Sequence, residues 1–135
     1  MAKHIWSVTC QNAIVDKHTN LVSYINSFDQ IGIPELPYAF PPLVVASLWK
    51  RESDEEDLVI KIEVIAPDGE VKKEKELSDI KFNSNFHRTH IRISPFEINQ
   101  AGEFKIIIKE KTKKKWKKVK QLPIIIDFQE KEDAK

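Results

Sequence analysis

The chain reads as an all-β protein, a single and mostly antiparallel β-sandwich of about eight strands. Three observations lead there. Apolar residues recur at every second position, as in Leu58, Ile60, Ile62 and Val64, or Phe104, Ile106 and Ile108; a period of two belongs to strands. Turn-forming residues stand between these stretches, among them Asp16-Lys17-His18-Thr19-Asn20 and Pro67-Asp68-Gly69, each with its own way of reversing a chain. Third, 135 residues with 41% hydrophobic and 32% charged side chains suffice for one core under a heavily charged surface, and not for two.

Lys3–Cys10 is expected to be the first strand, with His4, Trp6, Val8 and Cys10 on one face and Ile5, Ser7 and Thr9 on the other. The turn 16–20 leads to a second strand, Leu21–Ile31, whose mixed parity calls for a bulge near Ser27. These two form an opening hairpin. Four of the seven prolines, Pro34, Pro37, Pro41 and Pro42, fall within 32–42. Proline lacks the ladder donor, so this stretch is predicted to be a connection between sheets, anchored by Tyr38 and Phe40. Pro41–Pro67 then holds two apolar runs around an acidic stretch. Leu43–Trp49 is apolar at nearly every position, which suits a strand covered on both faces. Leu58–Ile65 alternates. The pair is expected to form the central hairpin, with Trp49 as its largest buried anchor.

After Pro67-Asp68-Gly69, the stretch Glu70–Leu77 sets charges between Val71 and Leu77 and reads as an edge strand whose lysines discourage edge-to-edge pairing. Ser78–Asn85 is expected to be irregular, with Ile80 and Phe82 tucked inward. Phe86–Ser94 is a strand with His87, Thr89, Ile91 and Ile93 on one face and Phe86, Arg88, His90 and Arg92 on the other. Ser94-Pro95-Phe96-Glu97 fits the start of one helical turn. Glu103–Glu110 and Trp116–Phe128 are the closing strands, with Pro123 marking an edge or bulge. The sandwich domain therefore spans 1–128, and 129–135 is a polar tail.

Several function classes lack their residues. The three glycines, Gly32, Gly69 and Gly102, are isolated, so neither a phosphate-cradling loop nor a dinucleotide fingerprint can be built. One cysteine, Cys10, excludes an intrachain disulfide and a cysteine-rich zinc site, and points to a reducing, cytoplasmic setting. As a lone thiol without a basic neighbour it reads as buried and unreactive. No stretch approaches the ~18 unbroken apolar residues of a membrane span. No catalytic, cofactor-binding or metal-binding residue is assigned. The acidic stretch Glu52–Asp57 carries five carboxylates and reads as a solvated tip; the rival reading, a calcium loop, lacks a glycine to bend it.

Charge distribution is more informative than the net charge of +1. Residues 103–120 hold nine lysines against two glutamates, a local balance of +7. Lys109, Lys111, Lys113, Lys114, Lys115, Lys117 and Lys118, with Trp116 among them, form a candidate polyanion-binding hairpin, in which lysines follow a phosphate backbone and the ring stacks on a base. The bland alternative is a solvated hairpin whose Trp116 closes the core edge. Arg88, His90 and Arg92 share one strand face and form a second candidate, a stripe for a small anion, or a plain polar face in solvent.

Two resemblances add to this. Ala2-Lys3-His4-Ile5-Trp6-Ser7-Val8, Val15-Asp16-Lys17, Asn20-Leu21-Val22-Ser23, Phe40-Pro41-Pro42, Ser47-Leu48-Trp49, Pro67-Asp68-Gly69 and Gly102-Glu103-Phe104 together resemble a family of small uncharacterised bacterial proteins, a domain of unknown function. That resemblance carries no catalytic residue. Gln100-Ala101-Gly102-Glu103-Phe104 is also similar to the corner before a late strand of immunoglobulin-like sandwiches, which implies that or a related Greek-key topology, although Phe104 lacks the tyrosine hydroxyl of those corners. The function expected is a non-enzymatic binding module without cofactor, engaging a protein partner or a second copy. Nucleic-acid or polyanion binding through the lysine hairpin is the first alternative, and an enzyme built on Arg88, His90 and Arg92 the second.

Overall fold

The computed structural model describes residues 2–27, 29–40, 42–52, 57–81, 84–93 and 95–128. Within them run eleven strands and no helix: β1 (Lys3–Val15), β2 (Val22–Ser27), β3 (Gln30–Ile33), β4 (Tyr38–Phe40), β5 (Leu43–Lys50), β6 (Asp57–Ile65), β7 (Val71–Lys81), β8 (Phe86–Ile93), β9 (Phe96–Ile98), β10 (Gly102–Thr112) and β11 (Lys115–Phe128). A four-stranded sheet in the order β2-β1-β5-β8 belongs to a sandwich-like arrangement with a five-stranded sheet in the order β3-β11-β10-β6-β7, and β4 pairs β9 separately. One apolar core unites the two larger sheets. Leu43, Val45, Trp49, Ile91 and Ile93 come from one, and Leu58, Ile60, Ile62, Val64, Phe104, Ile106, Ile108, Ile124 and Ile126 from the other. Their every-second-residue spacing is the alternation seen in the sequence.

The expected central hairpin is the main correction. Leu43–Trp49 and Leu58–Ile65 are both strands, but they do not pair. β5 lies between β1 and β8, while β6 lies between β10 and β7. The chain therefore changes sheets between them. Periodicity shows that a segment is a strand with an apolar face, and says nothing of whether its neighbour lies beside it or across the core. Residues 53–56 of the acidic stretch lie outside the described residues.

The strand count rises above eight for local reasons. Leu21–Ile31 divides into β2 and β3, which enter different sheets, and β3 runs parallel to the end of β11. Tyr38–Phe40, expected as part of a connection, pairs with Phe96–Ile98, expected as a helical turn. Phe40 and Phe96 stack with centroids 5.2 Å apart; that long-range contact outweighs the local capping pattern, whose Ser94 lies outside the described residues. β7 continues to Lys81 through the first half of Ser78–Asn85, the stretch expected to be irregular; Ile80 is buried as expected, and Phe82 lies outside the described residues. It does stand at a sheet edge, as its lysines suggest.

Turn chemistry holds where it is local. The Asp16 carboxylate accepts from the backbone N–H groups of His18 (2.8 Å) and Thr19 (2.9 Å); these donors hold it below the usual carboxylate range. At the next reversal Gly69 takes φ +92° and its N–H donates to the Ala66 carbonyl at 2.9 Å. Among the described residues there is no helix long and apolar enough to cross a membrane.

Candidate functional site

The lysine hairpin forms as the sequence suggests. β10 and β11 pair down to Thr112 opposite Lys115, so Lys113 and Lys114 are the two loop residues. β6 accompanies β10 only as far as Glu110, and β3 meets β11 only from Ile125. Lys113 and Lys114 both have positive φ, 49° and 66°, as the tight turn matching the twist of a hairpin requires. Asn-Gly usually meets that requirement; here two bulky L-residues do, at a cost of about 1–2 kcal/mol each.

Lys111, Lys113, Lys114, Lys115, Lys117 and Lys118 are exposed. Lys109 is set apart, because its ammonium pairs with the buried Glu63 carboxylate at 2.5 Å. Trp116 does not close the core edge. Its partner across the ladder is Lys111, one residue beyond the buried Glu110, and strand alternation turns that position to the outer face. There the ammonium groups of Lys61 and Lys111 lie 4.5 and 5.6 Å from its ring centre, within cation–π range. The ring positions two cations instead of lying free for a base.

The Arg88–His90–Arg92 stripe sits elsewhere, on the outer face of the four-stranded sheet, and that face is not plain solvent. β1 pairs with β5 up to Cys10 and with β2 from Cys10 onward. In a flat sheet, with strands about 4.8 Å apart, β2 would be some 14 Å from β8. Yet Arg88 Nη1 donates to the Asn20 carbonyl at 2.8 Å and Arg92 Nη2 to Asn12 Oδ1 at 3.2 Å. The outer half of the β1–β2 hairpin is therefore an arm folded over β5. It explains why β5 is apolar on both faces: Val44 and Ala46 form a second cluster with Cys10, against which Trp6, Val8, Ala13 and Tyr24 pack. Tyr24 presents edges to Trp6 (5.4 Å) and His90 (5.8 Å).

Within the stripe the two guanidiniums are tethered to the arm, and His90 is half-buried between them. Its Nε2 is buried with no partner among the described residues. Burial, and then the neighbouring Arg88 and His87, push its pKa below the ordinary histidine value. His87 and His90 face opposite sides, as their spacing requires: one pairs opposite Trp49, the other opposite Ala46. The Cys10 thiol is fully buried, and burial raises its pKa.

One polar string escaped the sequence reading. His4 Nε2 and Ser7 Oγ are 2.6 Å apart, and Ser7 Oγ and Ser47 Oγ 2.7 Å. Beside them the Trp49 indole N–H donates to Thr89 Oγ1 at 3.1 Å, and the His4 ring meets Trp49 edge-on. The string satisfies Ser47, which is only 1% exposed, as buried hydroxyls require. Alternation does not reveal it: Ser7 pairs with Ser47 across β1 and β5, and a register shift between His4 and Trp6 turns His4 to the face of Ser7 instead of the expected face of Trp6, Val8 and Cys10.

These features define an all-β domain with a cationic hairpin on one of its two larger sheets and an arm-covered face on the other. The chain belongs to a family of unknown function (DUF6941), whose model matches residues 5–123. No curated protein matches it. The resemblance to an uncharacterised family is thereby established, and it assigns no activity.

Proposed function

We propose that this domain is a non-enzymatic binding module whose recognition element is the β10–β11 tip, gripping a polyanion such as a single-stranded nucleic acid. The observation that carries the reading is the pair Lys113 and Lys114 in the left-handed region. Strain kept at a turn is a pointer to function, and what lysine offers there over Asn-Gly is charge. The exposed lysines beside them, and the two ammonium groups held over Trp116, extend the cationic surface. Such a surface binds through counterion release, with micromolar or weaker affinity that falls steeply with salt.

The test is retention on heparin and on immobilised single-stranded DNA across a salt gradient. Replacing Lys113, Lys114, Lys115 and Lys117 by Gln should move elution to lower salt and flatten the salt dependence by about 0.7 per lysine on single strands. Elution of the unaltered protein at low salt would sink the reading. An acidic protein surface, including that of a second copy, is the rival partner; a salt-dependent rise in solution mass without DNA retention would favour it. The single buried thiol supports a reducing, cytoplasmic setting. Two larger sheets joined by a chain that changes sheets between β5 and β6 support an immunoglobulin-like or related Greek-key topology.

A further inference from the structure

The arm does not seal against the sheet it covers. A cleft of about 390 Å³ remains, lined by Trp6, Val22, Tyr24, Leu48, Phe86 and Arg88. Three aromatic and two aliphatic side chains form its walls, and one guanidinium is the charge among them. A small-ligand site has this composition and size: apolar walls, and a few placed polar groups that set orientation. A more polar hollow of about 330 Å³ adjoins it, lined by Asn20, Ser84, Phe86, His87 and Arg88. Phe86 and Arg88 belong to both. Phe86 is 49% exposed, a large apolar surface left at the junction. Arg88 gives one N–H to the Asn20 carbonyl. A guanidinium has five such donors, and no other hydrogen bond engages this one among the described residues. The fork is thus held in position with donors still to offer, at the border between the apolar and the polar hollow.

We propose that this cleft binds a small aromatic carboxylate, its ring against the wall formed by Trp6, Tyr24 and Leu48 and its carboxylate on the Arg88 fork. Planar carboxylate on planar guanidinium is the geometry Arg favours, and ring-on-ring contact adds to area burial. A cationic ligand would meet Arg88 unfavourably. The polyanion at the hairpin tip is a separate matter, because that tip belongs to the other sheet.

Isotope-labelled protein of this sequence offers three indole N–H signals, from Trp6, Trp49 and Trp116, assigned with a Trp6→Phe variant. Naphthylacetate is titrated in, with naphthylacetamide as its uncharged match. The Trp6 signal should shift saturably at millimolar concentration or below, while the Trp49 and Trp116 signals stay. The amide should bind about tenfold more weakly, the loss expected for a charge-assisted pair; Arg88→Gln should abolish the preference for the acid over the amide. Because Arg88 also tethers the arm, Phe86→Ala is the second variant; it removes a half-exposed wall and should weaken acid and amide alike. No saturable Trp6 shift with the acid, equal binding of acid and amide, or movement of the Trp116 signal in place of Trp6 would each overturn the assignment.

Discussion

Replacing Lys113-Lys114 by Asn-Gly separates what the tip does for folding from what it does for binding. Both lysines sit at positive φ. An L-residue there loses about 1–2 kcal/mol relative to glycine, while glycine gives back about 0.5–1 kcal/mol through the freedom of the unfolded chain. Asparagine tolerates the left-handed region well. The exchange should therefore stabilise the domain by about 1–2 kcal/mol. An unfolding entropy of about 2.1 cal/mol/K per residue over 135 residues converts this into a rise in Tm of about 4–7 °C. The same change removes two charges, so the salt dependence of single-strand binding should fall by about 1.4. Calorimetric melting and a salt-gradient titration read the two effects separately. A lower Tm would refute the strain argument. A higher Tm with unchanged salt dependence would show that the tip holds left-handed lysines for some reason other than polyanion contact.

Three further outcomes follow from the core and the turns. Trp49→Ala should cost about 3–5 kcal/mol, because the ring is fully buried and its loss strands the Thr89 hydroxyl it serves; urea unfolding checks it, and a loss below 1 kcal/mol would contradict the packing described. Gly102→Ala should be more damaging than Gly69→Ala, since a Cβ at Gly102 (φ +129°) would stand 2.9 Å from Pro67 Cγ while one at Gly69 meets nothing within 4 Å; equal melting temperatures would refute this. His4, His87 and His90 are held below the ordinary histidine pKa, first of all by burial. The unfolded chain, with pKa about 6.5, then takes up protons before the native state does. Stability should be full above that pH and fall as pH drops through the lowered native values, before the carboxylates of Asp16 and Asp68 titrate; unfolding free energies that stay flat from about pH 7 to about pH 5 would rule this out.

Much of the molecule could be read from local pattern. The alternation in Leu58–Ile65, Phe86–Ile93 and Glu103–Glu110 named the strands and their buried faces, and the turns at Asp16 and Gly69 follow from what those residues do to their own backbone. The lysine hairpin was equally plain, since its two strands are joined by a short turn. The stripe of Arg88, His90 and Arg92 was legible as a face. That it lies beneath an arm was not, because nothing in those residues tells of Asn12, Asn20 or Tyr24.

The sequence by itself determined that the chain is built mainly of strands, which side of β6, β8 and β10 is apolar, that Trp49 is interior, and where positive charge gathers. Each is a property of a few adjacent residues. Only the tertiary structure decided that β5 and β6 enter different sheets instead of pairing, that the β1–β2 arm folds over β5 to leave a cleft at Arg88, and that His4, Ser7 and Ser47 join in one hydrogen-bonded string. Strand pairing links residues far apart in sequence, and many partners fit one alternating pattern. The choice among them rests on packing the whole core at once.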